Sequence, residues 1–242
     1  MKTRLDDKLV ELSLADSRAK AQALIMAGEV FVNGERIDKK AHPVKTTDEI
    51  TVREKPPFVS RGGEKLAHAL DNFAVDVKEH VAIDIGASTG GFTDCLLQRG
   101  ASFVHALDVG HGQLAYSLRI DKRVKVYEGV NARHLDTMRF EPVPTIAVTD
   151  VSFISVLRIA PAVRASFPGL TAWIVLIKPQ FEAERREVPR GGVIRDEALR
   201  ERIVSRFADS IQKLGFTSQG IIPSPITGAK GNVEYLVHLT VR

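Results

Sequence analysis

A strand that runs straight into a glycine-rich turn constrains this chain most. Val81-Ala82-Ile83-Asp84-Ile85 is an apolar run around one acid. Gly86-Ala87-Ser88-Thr89-Gly90-Gly91 follows, and then a helical pattern. The glycines permit a tight turn and close backbone approach to a ligand. Free N–H groups at the start of the next helix favour an anionic group. The spacing is G-x-x-x-G-G, not the strict dinucleotide pattern G-x-G-x-x-G.

The rhythm continues downstream. Strands are expected at Val81–Ile85, Phe103–Asp108, Val124–Glu128, Ile146–Asp150, Ala172–Ile177, Phe216–Ile222 and Val233–Val241. Helices are expected at Gly63–Phe73, Gly91–Arg99, Val156–Ser166 and Asp196–Leu214. Alternation of this kind implies an α/β domain over residues 62–242, with a mainly parallel sheet covered on both faces.

Residues 1–55 read differently, as a small α+β module. Leu5, Leu9, Val10 and Leu12 mark a short helix with Thr3 as its expected N-cap. A second helix is expected from Ser17 to Ala27, with Gly28 closing it. Val30-Phe31-Val32 is a strand, Asn33-Gly34 a hairpin turn, and Ile50-Thr51-Val52 a further strand. Lys55-Pro56-Pro57-Phe58-Val59 introduces a linker assigned to residues 56–61, because two prolines deny helix continuation.

Composition bounds the setting. The chain has 242 residues, enough for two unequal domains. No apolar run approaches the ~20 residues that span a bilayer. The opening Met1-Lys2-Thr3-Arg4-Leu5-Asp6-Asp7 lacks the apolar core of a signal peptide. One cysteine, Cys95, excludes an internal disulfide, and its apolar surroundings mark it as a packing residue. These features imply a cytoplasmic protein without stable membrane association. Seven histidines show no metal-site spacing, so no metal is expected. A net charge of +4 permits a polyanionic partner without requiring one. Residues 1–55 hold 11 Lys/Arg and 10 Asp/Glu, so any basic face there is local.

The turn defines a cofactor site. Its expected residues are Asp84, Gly86, Ala87, Ser88, Gly90 and Gly91, with Asp108 at the end of the next strand and Asn131 after the third. Asp108 is placed to accept hydrogen bonds from ribose hydroxyls, which suits S-adenosylmethionine and NAD alike. The absence of a hydride-acceptor partner set, together with the residues below, favours S-adenosylmethionine.

Four ionisable residues stand out: Lys65, just before the run that reads as a nucleotide-binding βα unit, and Asp150, Lys178 and Glu234, at, beside or within later apolar strands. Two amines and two carboxylates converging on one pocket suit removal of a proton from a weakly acidic hydroxyl. Lys178 is the candidate base or hydroxyl-orienting amine. Lys65 would supply a neighbouring positive field, Asp150 would orient Lys178, and Glu234 would fix the lysines. Nearby acids raise a lysine pKa while burial lowers it, so these roles oppose one another. Asp150-Val151-Ser152-Phe153 lacks the Pro-Pro-aromatic motif of amino-group methylation.

Ser17-Arg18-Ala19-Lys20-Ala21 and Leu24-Ile25-Met26-Ala27-Gly28-Glu29-Val30-Phe31-Val32-Asn33-Gly34 resemble the RNA-binding domain of ribosomal protein S-four. That resemblance implies contacts from Arg4, Arg18 and Lys20 to RNA phosphates. Val59-Ser60-Arg61-Gly62-Gly63, Gly86–Thr93, Asp150–Ser155, Leu176–Glu182 and Gly231–Tyr235 resemble the TlyA, or hemolysin A, family. Its catalytic domain is similar to FtsJ-type, Rossmann-like ribose methyltransferases that use S-adenosyl-L-methionine. The resemblance places the family's catalytic tetrad on Lys65, Asp150, Lys178 and Glu234, and adds Arg61 as an RNA contact. It implies 2′-O-methylation of cytidine in ribosomal RNA, in the large subunit for a chain of this length. The partner would be ribosomal RNA or a ribosomal subunit. Two other readings carry different expectations: a non-catalytic ribosome-assembly factor, and a membrane-lytic protein suggested by the family's second name.

Overall fold

A computed structural model describes residues 2–53, 56–228 and 230–242. They divide into two compact units, with the break before Pro56.

In the first unit, strand β1 (Lys2–Arg4) leads into helices α1 (Leu5–Glu11) and α2 (Arg18–Met26). Strands β2 (Val30–Val32), β3 (Glu35–Arg36), β4 (Pro43–Lys45) and β5 (Ile50–Val52) follow. β2 lies between β3 and β5, while β1 pairs antiparallel with β4. Leu5, Leu9, Ala21, Ile25, Val30 and Val44 form the core. The β2–β3 turn has Asn33 at φ +50° and Gly34 at φ +81°, the positive pair that a tight hairpin needs. Ser17 caps α2 by accepting from the Lys20 amide. The expected cap at Thr3 is not formed: Thr3 lies within β1, and Arg4 takes the N-cap position without a side-chain bond.

The second unit begins with α3 (Gly62–Asn72), β6 (Val81–Ile85), α4 (Gly91–Gln98), β7 (Phe103–Leu107), α5 (Tyr116–Arg119) and β8 (Val124–Tyr127). It continues through β9 (Ile146–Thr149), α6 (Ala160–Ser166), β10 (Ala172–Ile177), α7 (Pro179–Glu182), α8 (Glu197–Lys213), β11 (Phe216–Pro223) and β12 (Tyr235–Val241). Residues 57–59, read as linker, bond to α4: Gln98 Nε2 donates to the Pro57 carbonyl and the Val59 amide donates to Asp94. The helix expected over Val156–Ser166 is split into a 3₁₀ turn, Val156–Arg158, and α6. Pro161 near the start of α6 explains the break, since it has no backbone N–H to bond back to the preceding turn.

The sheet order is β11-β12-β10-β9-β6-β7-β8. β12 is antiparallel to both its neighbours, and the pairs from β10 to β8 are parallel. All six residues of β10 and all four of β9 are buried, as central strands covered on both faces require. Alternate side chains feed two cores. Ile83, Trp173 and Val175 join Val163, Phe207 and Ile211 on one face. Ala82, Ile174 and Leu176 join Leu66 and Leu96 on the other. Fully burying one such side chain contributes about 1.5–3 kcal/mol.

Chain order reverses between β6 and β9. The chain proceeds from β6 outward to β8 on one side, and from β9 to β10 on the other. Ligands of open α/β sheets bind at the carboxyl ends of strands flanking such a switch point.

Candidate active site

Gly86 leaves β6 at φ +90°, and a Cβ there would lie 2.5 Å from the Asp150 carbonyl oxygen. Only glycine allows that approach. The Asp150 amide also donates to the Ile85 carbonyl at 3.1 Å. The cofactor turn and the segment after β9 are therefore locked backbone to backbone. Asp150 and Lys178 both sit one residue beyond parallel strand ends, and Glu234 sits one residue before β12. Because β12 runs antiparallel to β10, its start lies at the same sheet edge.

These positions border a cavity of about 610 Å³, within the usual range for small-molecule sites. Lys65, Asp150, Lys178 and Glu234 all line it. They form two ion pairs. Lys65 Nζ donates to Glu234 Oε2 at 2.5 Å, and both side chains are nearly inaccessible. Lys178 Nζ lies 2.6 Å from Asp150 Oδ1 and donates to Ser152 Oγ at 2.8 Å. The Asp150 contact is a charge contact, since that oxygen accepts no directed hydrogen bond. Glu234 thus fixes one lysine, not both as expected. Its carboxylate has room because position 228 is glycine, where a Cβ would lie 2.4 Å from Glu234 Oε1.

Gly86, Ala87, Ser88 and Gly91 line the same cavity, as does Arg61. Ser88 adopts φ +48°, and its amide donates to Asp108 Oδ2 at 2.8 Å. The Gly110 amide donates to the other Asp108 oxygen at 2.7 Å. A carboxylate has about four acceptor positions, so Asp108 keeps capacity for further donors. It faces a narrow adjoining cleft with Gln113, Tyr127 and Glu128.

Three expected cofactor residues stand elsewhere. Asp84 is fully buried behind the turn and accepts from Thr93 Oγ1 at 2.7 Å. Its burial pushes its pKa up to about 7, and the charges of Asp150 and Asp108 add to the rise. Gly90 is buried against Leu114 and Leu118. Asn131 caps a 3₁₀ turn, accepting from the Arg133 amide at 3.1 Å. Asp84 and Gly90 thus support the site from behind, and Asn131 lines neither cavity.

In the first unit, Arg4 and Arg18 converge on one carboxylate. Asp6, with no exposed surface, accepts from Arg4 Nε and Nη2 at 2.9 Å and from Arg18 Nε at 3.1 Å. Those guanidiniums and a bond from Gln22 hold Asp6 well below the usual carboxylate range. Lys20 is exposed.

Several site residues escaped sequence reasoning. Ser152 is one, identifiable only by its distance from Lys178. Phe153 is 91% exposed at φ +65°, with its ring 5.2 Å from that of Phe181. A bulky residue in the left-handed region is strained, a condition that clusters at functional sites. Gln180 presents a buried, unpartnered Oε1. Glu182 accepts from Ser155 and the Val156 amide, tying together the segments after β9 and β10.

Comparison with known proteins identifies this arrangement. Residues 58–241 match the FtsJ-like methyltransferase family, and residues 3–50 match the S4 domain. The chain belongs to the FtsJ-like methyltransferase family. Membership defines an enzyme that uses S-adenosyl-L-methionine as methyl donor.

A protein named Hemolysin A from Brachyspira hyodysenteriae is 49% identical over 239 residues, covering 98% of this chain and 100% of its own. The protein named 16S/23S rRNA (cytidine-2′-O)-methyltransferase TlyA from Mycobacterium tuberculosis is 44% identical over 240 residues, covering 98% of this chain and 90% of its own. The solved structure titled a putative hemolysin from Streptococcus thermophilus superposes with a TM-score of 0.72 at 40% identity, covering 99% of this chain and 88% of that one.

Proposed function

We propose that the protein transfers a methyl group from S-adenosyl-L-methionine to the ribose 2′-oxygen of a cytidine in ribosomal RNA, in the large subunit, and that it works in the cytoplasm. One observation carries the reading: an ion-paired lysine, Lys178 with Asp150, at the switch point and beside the glycine turn. The similarity to a protein named 16S/23S rRNA (cytidine-2′-O)-methyltransferase supports a cytidine ribose of ribosomal RNA as the target. The S4 match supports RNA as the partner.

The donor set fits the methyl donor. The glycine turn lets a ligand approach the backbone closely without side-chain obstruction, and Asp108 supplies carboxylate acceptors. Bound there, S-adenosylmethionine would supply an electrophilic methyl group. Lys178 has three N–H donors. Ser152 Oγ takes one and Asp150 lies against the ammonium as a charge partner, which leaves an N–H for the ribose hydroxyl oxygen. Asp150, whose carboxylate is partly exposed, accepts the hydroxyl proton as oxygen gains its methyl. Lys65 and Glu234 line the same pocket as a buried pair. Phe153 and Phe181 offer apolar faces for the base, and Arg61 reaches the phosphodiester.

Among the described residues, no helix is long and apolar enough to cross a membrane. The S4 match and the lysine–carboxylate pocket support an RNA-directed reaction over a lytic one.

The test is transfer of labelled methyl groups to unmodified ribosomal RNAs and subunits. Label on a cytidine 2′-oxygen is expected. Lys178→Ala should lower the rate at least about 10²-fold while calorimetric binding of S-adenosylhomocysteine persists. Undiminished transfer by that variant would overturn the mechanism. No transfer by the wild type to any of these RNAs, with donor binding shown, would overturn the substrate.

A further inference from the structure

Asn232 belongs to neither ion pair, yet it is 4% exposed and both its side-chain bonds run to the loop before α8. Its Nδ2 donates to the Gly192 carbonyl at 2.9 Å, and its Oδ1 accepts from the Ile194 amide at 3.0 Å. The Asn232 backbone carbonyl accepts from the Gly228 amide at 2.9 Å. Asn232 and Glu234 are two residues apart in the segment before β12, and both line the large cavity. One meets the loop and the other meets Lys65.

The loop is fastened at its two ends by other groups. Arg206 holds Glu187 with two hydrogen bonds, and Arg200 Nη1 donates to the carbonyls of Ile194 and Arg195. Between these ends lies Pro189-Arg190-Gly191-Gly192, with both glycines at positive φ and open space where a Cβ would sit. Packing around the glycines does not fix this stretch, which is closed by the Gly192 amide donating to the Pro189 carbonyl at 3.0 Å. Val188 and Gly192 border the large cavity, and Arg190 is exposed beside them.

We propose that Asn232 is a positioning residue that pins the Pro189–Gly192 wall beside the Lys65–Glu234 pair, fixing the edge on which the nucleic-acid substrate rests. Asparagine suits the task because one side chain satisfies both a carbonyl and an amide. Aspartate retains the acceptor for Ile194 but sets a carboxylate against the Gly192 carbonyl. Alanine removes both bonds. The inference rests on the RNA reading above for its substrate, and on geometry alone for the loop.

The experiment pairs trypsin cleavage after Arg190, mapped by mass spectrometry, with kinetics on unmodified ribosomal RNA. Asn232→Ala should be cut there about tenfold faster than wild type, because local opening loses two opposing hydrogen bonds. Its KM for RNA should rise about fivefold or more, with kcat largely kept and S-adenosylhomocysteine affinity unchanged. Asn232→Asp, nearly isosteric, should fall between wild type and alanine in cleavage, and it decides the question if the alanine variant fails to fold. Cleavage at Arg190 unchanged in both variants would overturn the loop tie. Faster cleavage with unchanged RNA KM would overturn the positioning role. Absence of methyl transfer by the wild type would overturn the RNA reading instead, and the cleavage rates would still decide the tie.

Discussion

The Ser155 hydroxyl donates to Glu182 Oε2 at 2.5 Å, joining the segment after β9 to the short helix after β10. Glu182 also accepts from the Val156 amide at 2.8 Å, and burial raises its pKa. The two segments it joins carry the Asp150–Lys178 pair and the Phe153–Phe181 rings.

Glu182→Ala strands both donors in a partly buried place. Each buried donor left unsatisfied costs about 1–3 kcal/mol. A clear fall in the urea midpoint is expected, with an unchanged slope. A midpoint equal to wild type would show that the tie contributes nothing to stability.

The Lys65–Glu234 pair should behave as a buried ion pair. Removing one partner leaves an uncompensated charge and costs about 3–5 kcal/mol, whereas replacing both with apolar groups costs far less. Lys65→Met and Glu234→Leu should each destabilise strongly, and the double variant should be more stable than either. A double-mutant cycle by chemical unfolding measures this. Additive losses would show that the two side chains do not depend on each other.

Asp84 gives a pH dependence with a defined sign. Burial raises its pKa to about 7, so the folded state keeps a proton that the unfolded chain releases near pH 4. The native state then binds more protons across that window, and its stability falls as pH rises through it. Asp84→Asn keeps an acceptor for Thr93 and removes the titration. Its melting temperature relative to wild type should therefore be higher at pH 8 than at pH 5. An offset that is equal at both values would contradict the assignment.

Local pattern determined much of the architecture. The apolar runs at Val81–Ile85 and Ala172–Ile177 are strands with the expected bounds, since burial on both faces requires unbroken apolar sequence. Asn33-Gly34 is a hairpin because both positions tolerate positive φ. The glycine turn and the four ionisable residues were also legible, three of them beside strand ends and Lys65 in the helix that precedes β6. Pro161 was visible too, and its missing amide accounts for the break before α6.

Only tertiary structure decided the partnerships. Lys65 and Glu234 are 169 positions apart, and nothing local to either announces the other. Sheet order brings them together, because an antiparallel β12 delivers Glu234 to the edge where the parallel strands end. Asp84 and Asp108 occupy similar places in sequence, each at or beside a strand end. The helices stacked on β6 bury one, while the other faces a cleft. Arg4 and Arg18 read as free cations until Asp6 is found between them. Periodicity reports which side of an element is buried. It carries no record of which distant group waits there, and in this protein that distant group determines what each charge can do.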